Sequence, residues 1–167
     1  MSAPRNLQLP PIEAKASWQL VRWCLRKGAT EFTLAGVHVG DRDSSSVPLF
    51  RTFNQLTAHH ALPAAPREHL SKMLNEEWER ETELWRLNEE TILALQQVLP
   101  DGIFSYSVGD EGWFEDLAIY RQGALMLGVI SHEREGFLRV TEAEKAELES
   151  AGYCVTTLPP NGQVPKP

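Results

Sequence analysis

The sequence predicts an α+β protein in which a helical N-terminal half packs on a C-terminal antiparallel β-meander that ends in a short helix. Through most of the first 99 residues, apolar side chains recur at threes and fours, which is the period of an amphipathic helix. Residues 103–157 instead hold short apolar runs separated by turn residues, which is typical of strands. We expect one domain over residues 1–158 and a proline-rich tail over 159–167.

The N-terminal elements follow from local signals. The first dozen residues contain three prolines and predict an irregular arm. Residues 14–27 have a helical apolar pattern, and Gly28 is suited to the position just after a helix. A strand is expected over 30–39, where β-branched and aromatic residues are enriched.

The middle of the chain predicts more helix. Residues 49–62 fit a short helix, and residues 66–99 have a helical pattern throughout. The second segment is either one long helix or two. Asn88 is the favoured break because asparagine caps helix N-termini well.

The C-terminal third predicts a meander. Two of its strands form a hairpin around a turn that contains Gly123. Thr141 followed by Glu144 is a capping box, which predicts a helix over 142–150. The expected strands are 103–108, 114–120, 124–130, 137–140 and 153–157.

Charge and composition narrow the functional classes. The net charge of −7 argues against direct binding to nucleic acid and to anionic membranes, which both require basic surfaces. The longest apolar run, Ala124–Ile130, is too short to cross a bilayer, so no membrane association is expected. Because no export signal precedes the domain, we expect a cytoplasmic protein in which Cys24 and Cys154 are reduced and buried.

The sequence contains no recognised catalytic or metal-binding motif. It has no zinc-type cysteine or histidine spacing, no nucleophile elbow and no phosphate-binding glycine loop. We therefore expect no catalytic residues, no metal and no cofactor. The best candidate for acid–base chemistry is the pair His132 and Glu133, within a polar turn that a hairpin would need in any case.

The most distinctive feature is the combination of carboxylates and tryptophans in two segments. The stretch 76–90 is strongly acidic and contains Trp85, while a second group surrounds Trp113. Acidic side chains steer a basic partner and aromatic rings anchor it, so both groups suit a protein interface. The candidate partner-binding residues are Glu76, Glu77, Glu79, Glu81, Glu83, Trp85, Glu89, Asp110, Glu111, Trp113, Glu115 and Asp116. The competing interpretation is a solvated acidic surface with the tryptophans turned into the core.

Segment 117–141 reads LAIYRQGALMLGVISHEREGFLRVT and is followed by the expected helix and Gly152. In this order of hairpin, polar turn, strand and short acidic helix, it resembles the C-terminal part of small bacterial immunity proteins. The resemblance covers about a quarter of the chain. It implies a cytoplasmic antidote that binds one toxin domain and blocks its active site, and it carries over no catalytic residue.

We therefore expect a non-enzymatic inhibitor of the immunity type whose acidic, tryptophan-containing face binds a basic toxin domain. Toxins that act on nucleic acid are candidate targets. Two alternatives come from other classes. An adaptor or regulatory subunit of a larger assembly would expose a long apolar surface. A small hydrolase would need a cleft that converges on His132 and Glu133.

Overall fold

The computed structural model describes residues 4–38, 46–67, 81–106 and 111–158. Its described strands form one eight-stranded antiparallel sheet, so the α+β class is confirmed. The strands are β1 (Arg5–Leu9), β2 (Glu31–His38), β3 (Ala61–Pro66), β4 (Glu81–Arg86), β5 (Gly112–Arg121), β6 (Ala124–Ile130), β7 (Glu135–Val140) and β8 (Thr156–Thr157). The helices are α1 (Ala14–Arg26), α2 (Pro48–Thr57), α3 (Glu89–Val98) and α4 (Glu142–Ser150).

The strand order across the sheet is β3-β4-β2-β5-β6-β7-β1-β8. The meander of β5, β6 and β7 is confirmed, as is the hairpin between its first two strands. The capping box at the start of α4 is also confirmed, with Thr141 and Glu144 bonded reciprocally. In the part of the chain that is described, no helix is long and apolar enough to span a bilayer.

The prediction of a helical N-terminal half requires correction, because β1, β2, β3 and β4 lie there together with α1 and α2. The expected irregular arm contains β1, which pairs with β7 from Arg5 to Leu9. Leu7 and Leu9 alternate with polar residues and are completely buried. The prolines flank this strand and do not interrupt it, so its backbone donors stay free to pair.

The prediction of helix throughout 66–99 is wrong for residues 81–86, which form β4 between β3 and β2. Pairing with two neighbouring strands outweighs the helix propensity of its glutamates and leucine. The expected break is confirmed: Asn88 caps α3, and its side chain accepts a hydrogen bond from the Thr91 backbone N–H at 2.9 Å. Residues 68–80 of this prediction lie outside the described residues.

Three other boundaries differ from expectation. The helix expected over 49–62 ends at Thr57; a short 3-10 turn follows, and β3 begins at Ala61. Of the strand expected over 103–108, the described residues 103–106 lie in turns and irregular backbone, with Ile103 and Phe104 buried. The last expected strand shortens to Thr156–Thr157, and the tail from 159 lies outside the described residues.

The main core combines helix residues with one face of the sheet and contains an aromatic group at its centre. The ring of Phe32 stacks on Trp85 at 5.6 Å between centroids, and Phe53 meets Trp85 edge-on at 5.2 Å. Phe53 also contacts Phe114, with 4.9 Å between the ring centroids, and so links α2 to β5.

Cys24 is buried in this core as expected, whereas Cys154 is exposed. Burial raises the pKa of the Cys24 thiol to about 12, so it stays protonated.

A polar seam joins α1 and the β5–β6 hairpin to α4. Arg121 donates to Glu144 at 2.5 Å and to the Lys27 carbonyl at 3.3 Å. Burial by itself would raise the pKa of Glu144. The hydrogen bonds from Arg121 and from the Thr141 backbone N–H outweigh that effect, and the pKa is lowered from its ordinary value. Glu147 accepts hydrogen bonds from Lys27 and from the Trp23 indole, completing the seam.

Replacing Trp85 by alanine should destabilise the fold by about 3–5 kcal/mol, because the ring is only 6% exposed and packs on Phe32 and Phe53. Urea denaturation would measure the loss. Leu93→Ala is the matched control, since Leu93 is 54% exposed and its truncation should change stability by about 0.5 kcal/mol or less. Equal losses in the two variants would contradict the core position of Trp85.

Glu144→Gln should cost about 1–3 kcal/mol at pH 7, because it leaves the half-buried Arg121 without its carboxylate. The folded-state pKa of Glu144 is lowered. The stabilisation is therefore fully present above the unfolded pKa of about 4.3 and is lost as the pH falls through the folded value. Measuring the free energy of unfolding at several pH values would test this. Glu149→Gln is the control, because Glu149 forms an exposed pair and its loss should lower stability by about 0.5 kcal/mol or less. A loss for Glu144→Gln that does not depend on pH would refute the ionic contribution.

Candidate functional site: an aromatic–acidic patch

A bulge in the middle of β5 determines which side chains reach the surface there. The pairing of β2 with β5 passes from Thr33 opposite Ala118 to Ala35 opposite Glu115, so β5 has one extra residue in this interval. Asp116 lies at the bulge with a positive φ of 54°. Side chains alternate between the two faces of a strand. The bulge therefore changes which alternate residues of β5 face the main core, from even-numbered residues before it to odd-numbered residues after it.

As a result, β5 contributes side chains to the main core on both sides of the bulge. Phe114, before the bulge, and Leu117 and Ile119, after it, all belong to the main core. Ala118 and Tyr120 belong to a second, smaller cluster on the other face. Trp113 and Glu115 flank Phe114 and therefore point to that second face.

Ser131 holds the bulge in place through two reciprocal hydrogen bonds. The Asp116 backbone N–H donates to the Ser131 hydroxyl at 2.9 Å, and the Ser131 backbone N–H donates to Asp116 Oδ1 at 2.8 Å. Ser131 is buried, so both of its bonds are shielded from water. The bonds link β5 to the turn that follows β6, and this turn carries His132.

Three rings gather beside the bulge. Trp113 and Tyr106 meet edge-to-face with their centroids 6.0 Å apart, and Tyr106 lies 6.3 Å from His132. The Trp113 indole N–H donates to Glu115 Oε2 at 3.0 Å. Tyr106 is 46% exposed and Trp113 is partly exposed. We call Tyr106, Trp113, Glu115, Asp116 and His132 the aromatic–acidic patch.

The patch carries an excess of negative charge. Burial raises the pKa of Asp116, and the neighbouring Glu115 raises it further, against the lowering effects of the Ser131 N–H and of His132. The pKa of Glu135 is also raised, by burial and by Glu133. Segments 111–116 and 131–135 together contain five carboxylates and one arginine, Arg134. A cation placed here would relieve this repulsion.

The other predicted interface residues are placed less favourably. Glu83 is exposed on β4 and Glu111 is exposed before β5, whereas Trp85 is turned into the core. Glu89 is exposed but pairs with Arg22 at 3.0 Å. Glu81 begins β4. Glu76, Glu77, Glu79 and Asp110 lie outside the described residues.

The pair His132 and Glu133 lies open to solvent. Their side chains are 51% and 55% exposed, and His132 Nε2 is 3.9 Å from Glu133 Oε1, which is too long for a hydrogen bond. Within the described residues, neither side chain is enclosed in a cleft of the kind that the hydrolase alternative needs. Among the described residues, no three His, Cys, Asp or Glu side chains are grouped as metal ligands would be.

Tyr106, which belongs to the patch, and Ser131, which supports it, were not among the predicted interface residues, and His132 was predicted only as a catalytic candidate. One signal was available: Glu115 and Asp116 stand together inside an otherwise apolar strand, which breaks the alternation and is typical of a bulge. No comparable local signal predicts that Tyr106, in the turn after α3, contacts Trp113.

The chain matches no known family model, and neither curated proteins nor solved structures provide a match.

Asp116→Asn should leave stability at pH 7 equal or higher. The asparagine carbonyl can still accept from Ser131, asparagine tolerates positive φ, and the unfavourable buried charge is removed. Since the folded pKa of Asp116 is raised, its ionised form costs stability at neutral pH. That cost disappears as the pH falls through the raised value.

Thermal melting between pH 7 and pH 4 would measure the difference between wild type and variant, which should shrink as the pH falls. Ser131→Ala is the structural control. It leaves the Asp116 N–H without its acceptor and should cost about 1–3 kcal/mol. A loss above about 1 kcal/mol for Asp116→Asn at pH 7 would mean that the charge stabilises the fold.

Proposed function

We propose that this chain is a non-enzymatic inhibitor of the immunity type, which binds a basic toxin domain through the aromatic–acidic patch and blocks its active site. The observation that carries the proposal is the clustering of three partly exposed rings with Glu115 and Asp116 at one strand bulge. Aromatic side chains often anchor protein interfaces, and charged groups beside them select a partner of complementary charge.

Charge supports a basic partner. The chain carries a net charge of −7, and the patch lies where carboxylates are dense and repel one another. Complementary charge accelerates encounter and selects against acidic partners. Toxins that act on nucleic acid have basic substrate grooves, and an acidic protein surface is suited to bind and block such a groove.

The patch is a better interface candidate than the described part of the acidic stretch, residues 81–90. The one tryptophan described in that stretch, Trp85, is buried, and Glu89 and Glu90 already contact Arg22 and His60. An interface there would have to break these contacts first.

The resemblance of segment 117–152 to small bacterial immunity proteins supports the same proposal. It is consistent with a bacterial protein that acts in the cytoplasm, where an incoming toxin must be neutralised. The patch borders this segment: Trp113, Glu115 and Asp116 precede it directly, and His132 lies within it.

The adaptor alternative receives less support. It requires a long exposed apolar surface, and in the described chain the exposed large apolar residues are Leu56, Leu93 and Tyr106. Individual exposed leucines are common on protein surfaces and do not define an interface. Tyr106 is better explained as part of the patch.

Trp113→Ala and Glu115→Gln should each weaken partner binding by about 2 kcal/mol, which corresponds to roughly a thirtyfold higher Kd. The partner would be taken from a pull-down in the source cell, or tested as the product of the adjacent gene. The affinity would then be measured by calorimetry at low and high salt. We expect one stoichiometric basic partner that is held more weakly at high salt.

Glu149→Gln is the matched control, because Glu149 lies on α4 and forms only an exposed pair with Lys145. It should leave the Kd unchanged. Binding should also weaken at acidic pH, since the raised pKa of Asp116 brings its protonation to a higher pH than that of an ordinary aspartate. An unchanged Kd in both patch variants would place the interface elsewhere.

A further inference from the structure

The rings of the aromatic–acidic patch offer faces to a cation. Trp113 and Tyr106 stand at 83° to one another, and Tyr106 lies at 57° to the His132 ring, so neighbouring rings meet at large angles instead of stacking face to face. The π faces of tryptophan and tyrosine attract cations, by about 0.5–1 kcal/mol at exposed sites and more when water is excluded. Arginine is the cation most often found on such rings.

A carboxylate is fixed beside these rings. The Trp113 indole N–H binds Glu115 Oε2 at 3.0 Å, so ring and carboxylate hold one another in a defined geometry. An ionised carboxylate accepts several hydrogen bonds and donates none, so Glu115 can accept further N–H groups from a ligand. Burial raises the pKa of Asp116 and the charge of Glu115 adds to this effect, so a second carboxylate stands close to Glu115 at the bulge.

The neighbouring strand places small apolar residues next to the carboxylate. Ala35 lies opposite Glu115 and Val37 lies opposite Trp113 in the pairing of β2 with β5. Ala35 is exposed and Val37 is partly exposed. A small apolar residue beside a charged one suits a long side chain, whose methylene stem packs on aliphatic surface while its charged end meets the carboxylate.

We infer that the aromatic–acidic patch binds an arginine side chain of a basic protein partner, with the guanidinium over the Trp113 ring and hydrogen-bonded to Glu115. Arginine fits better than lysine. Its planar guanidinium both stacks on aromatic faces and donates in a fork that matches a carboxylate, whereas an ammonium group is compact and strongly hydrated. The inference rests on the proposed function, and it specifies which side chain of the partner the patch selects.

The test uses three blocked peptides of glycine with a central arginine, lysine or citrulline, titrated into the full chain and followed by NMR. The reporter is the Trp113 indole N–H signal, assigned by its absence in Trp113→Phe. We expect a saturable shift with the arginine peptide, binding about fivefold weaker with lysine, and none with the neutral citrulline. Glu115→Gln should weaken arginine binding about fivefold, whereas Glu149→Gln should not change it.

Equal binding of arginine and lysine would overturn the inference, because it would show only general charge attraction. An absent shift with the arginine peptide would also overturn it. If Trp113→Ala weakens partner binding while no peptide binds, the arginine site is wrong and the proposed function stands. If the arginine peptide binds while patch variants leave partner affinity unchanged, the arginine site stands and the proposed function fails.

Discussion

The bulge at Asp116 is the constraint on which both the core and the surface of β5 depend. If β5 ran as a regular strand through Asp116, Phe114 and Leu117 would lie on opposite faces of the sheet because they are three residues apart, and one of them would leave the main core. The two hydrogen bonds with Ser131 satisfy the backbone where the ladder is interrupted. The same bonds join β5 to the turn that carries His132.

The chemistry of the patch follows from this arrangement. Ser131 accepts and donates through its hydroxyl and backbone, so it keeps Asp116 half-buried next to Glu115. Burial and the neighbouring charge make the ionised form of Asp116 unfavourable in the folded state. In the proposed complex, a basic partner would compensate this charge.

Much of the fold could be predicted because local signals agreed with tertiary packing: the β5–β6 hairpin, the cap at Asn88 and the helix after Thr141 are examples. The strand at 81–86 could not, since Glu83 and Leu84 also suit a helix and only pairing with β2 and β3 decides between them. At the site, Trp113, Glu115 and Asp116 were predicted because they are neighbours in sequence. Tyr106 and His132 come from other segments of the chain and meet Trp113 and each other only through tertiary packing.

Hydrogen–deuterium exchange of the chain, with and without the basic protein proposed as its partner, tests most directly whether the patch is the binding surface. We expect protection on binding in peptides that cover 112–117 and 131–135, where the patch residues lie on β5 and on the turn after β6. Peptides covering α3 and the seam at Glu144 should exchange at the same rate in both states. Protection confined to α3, or to the sheet edge at β8, would contradict the assignment of the patch as the interface.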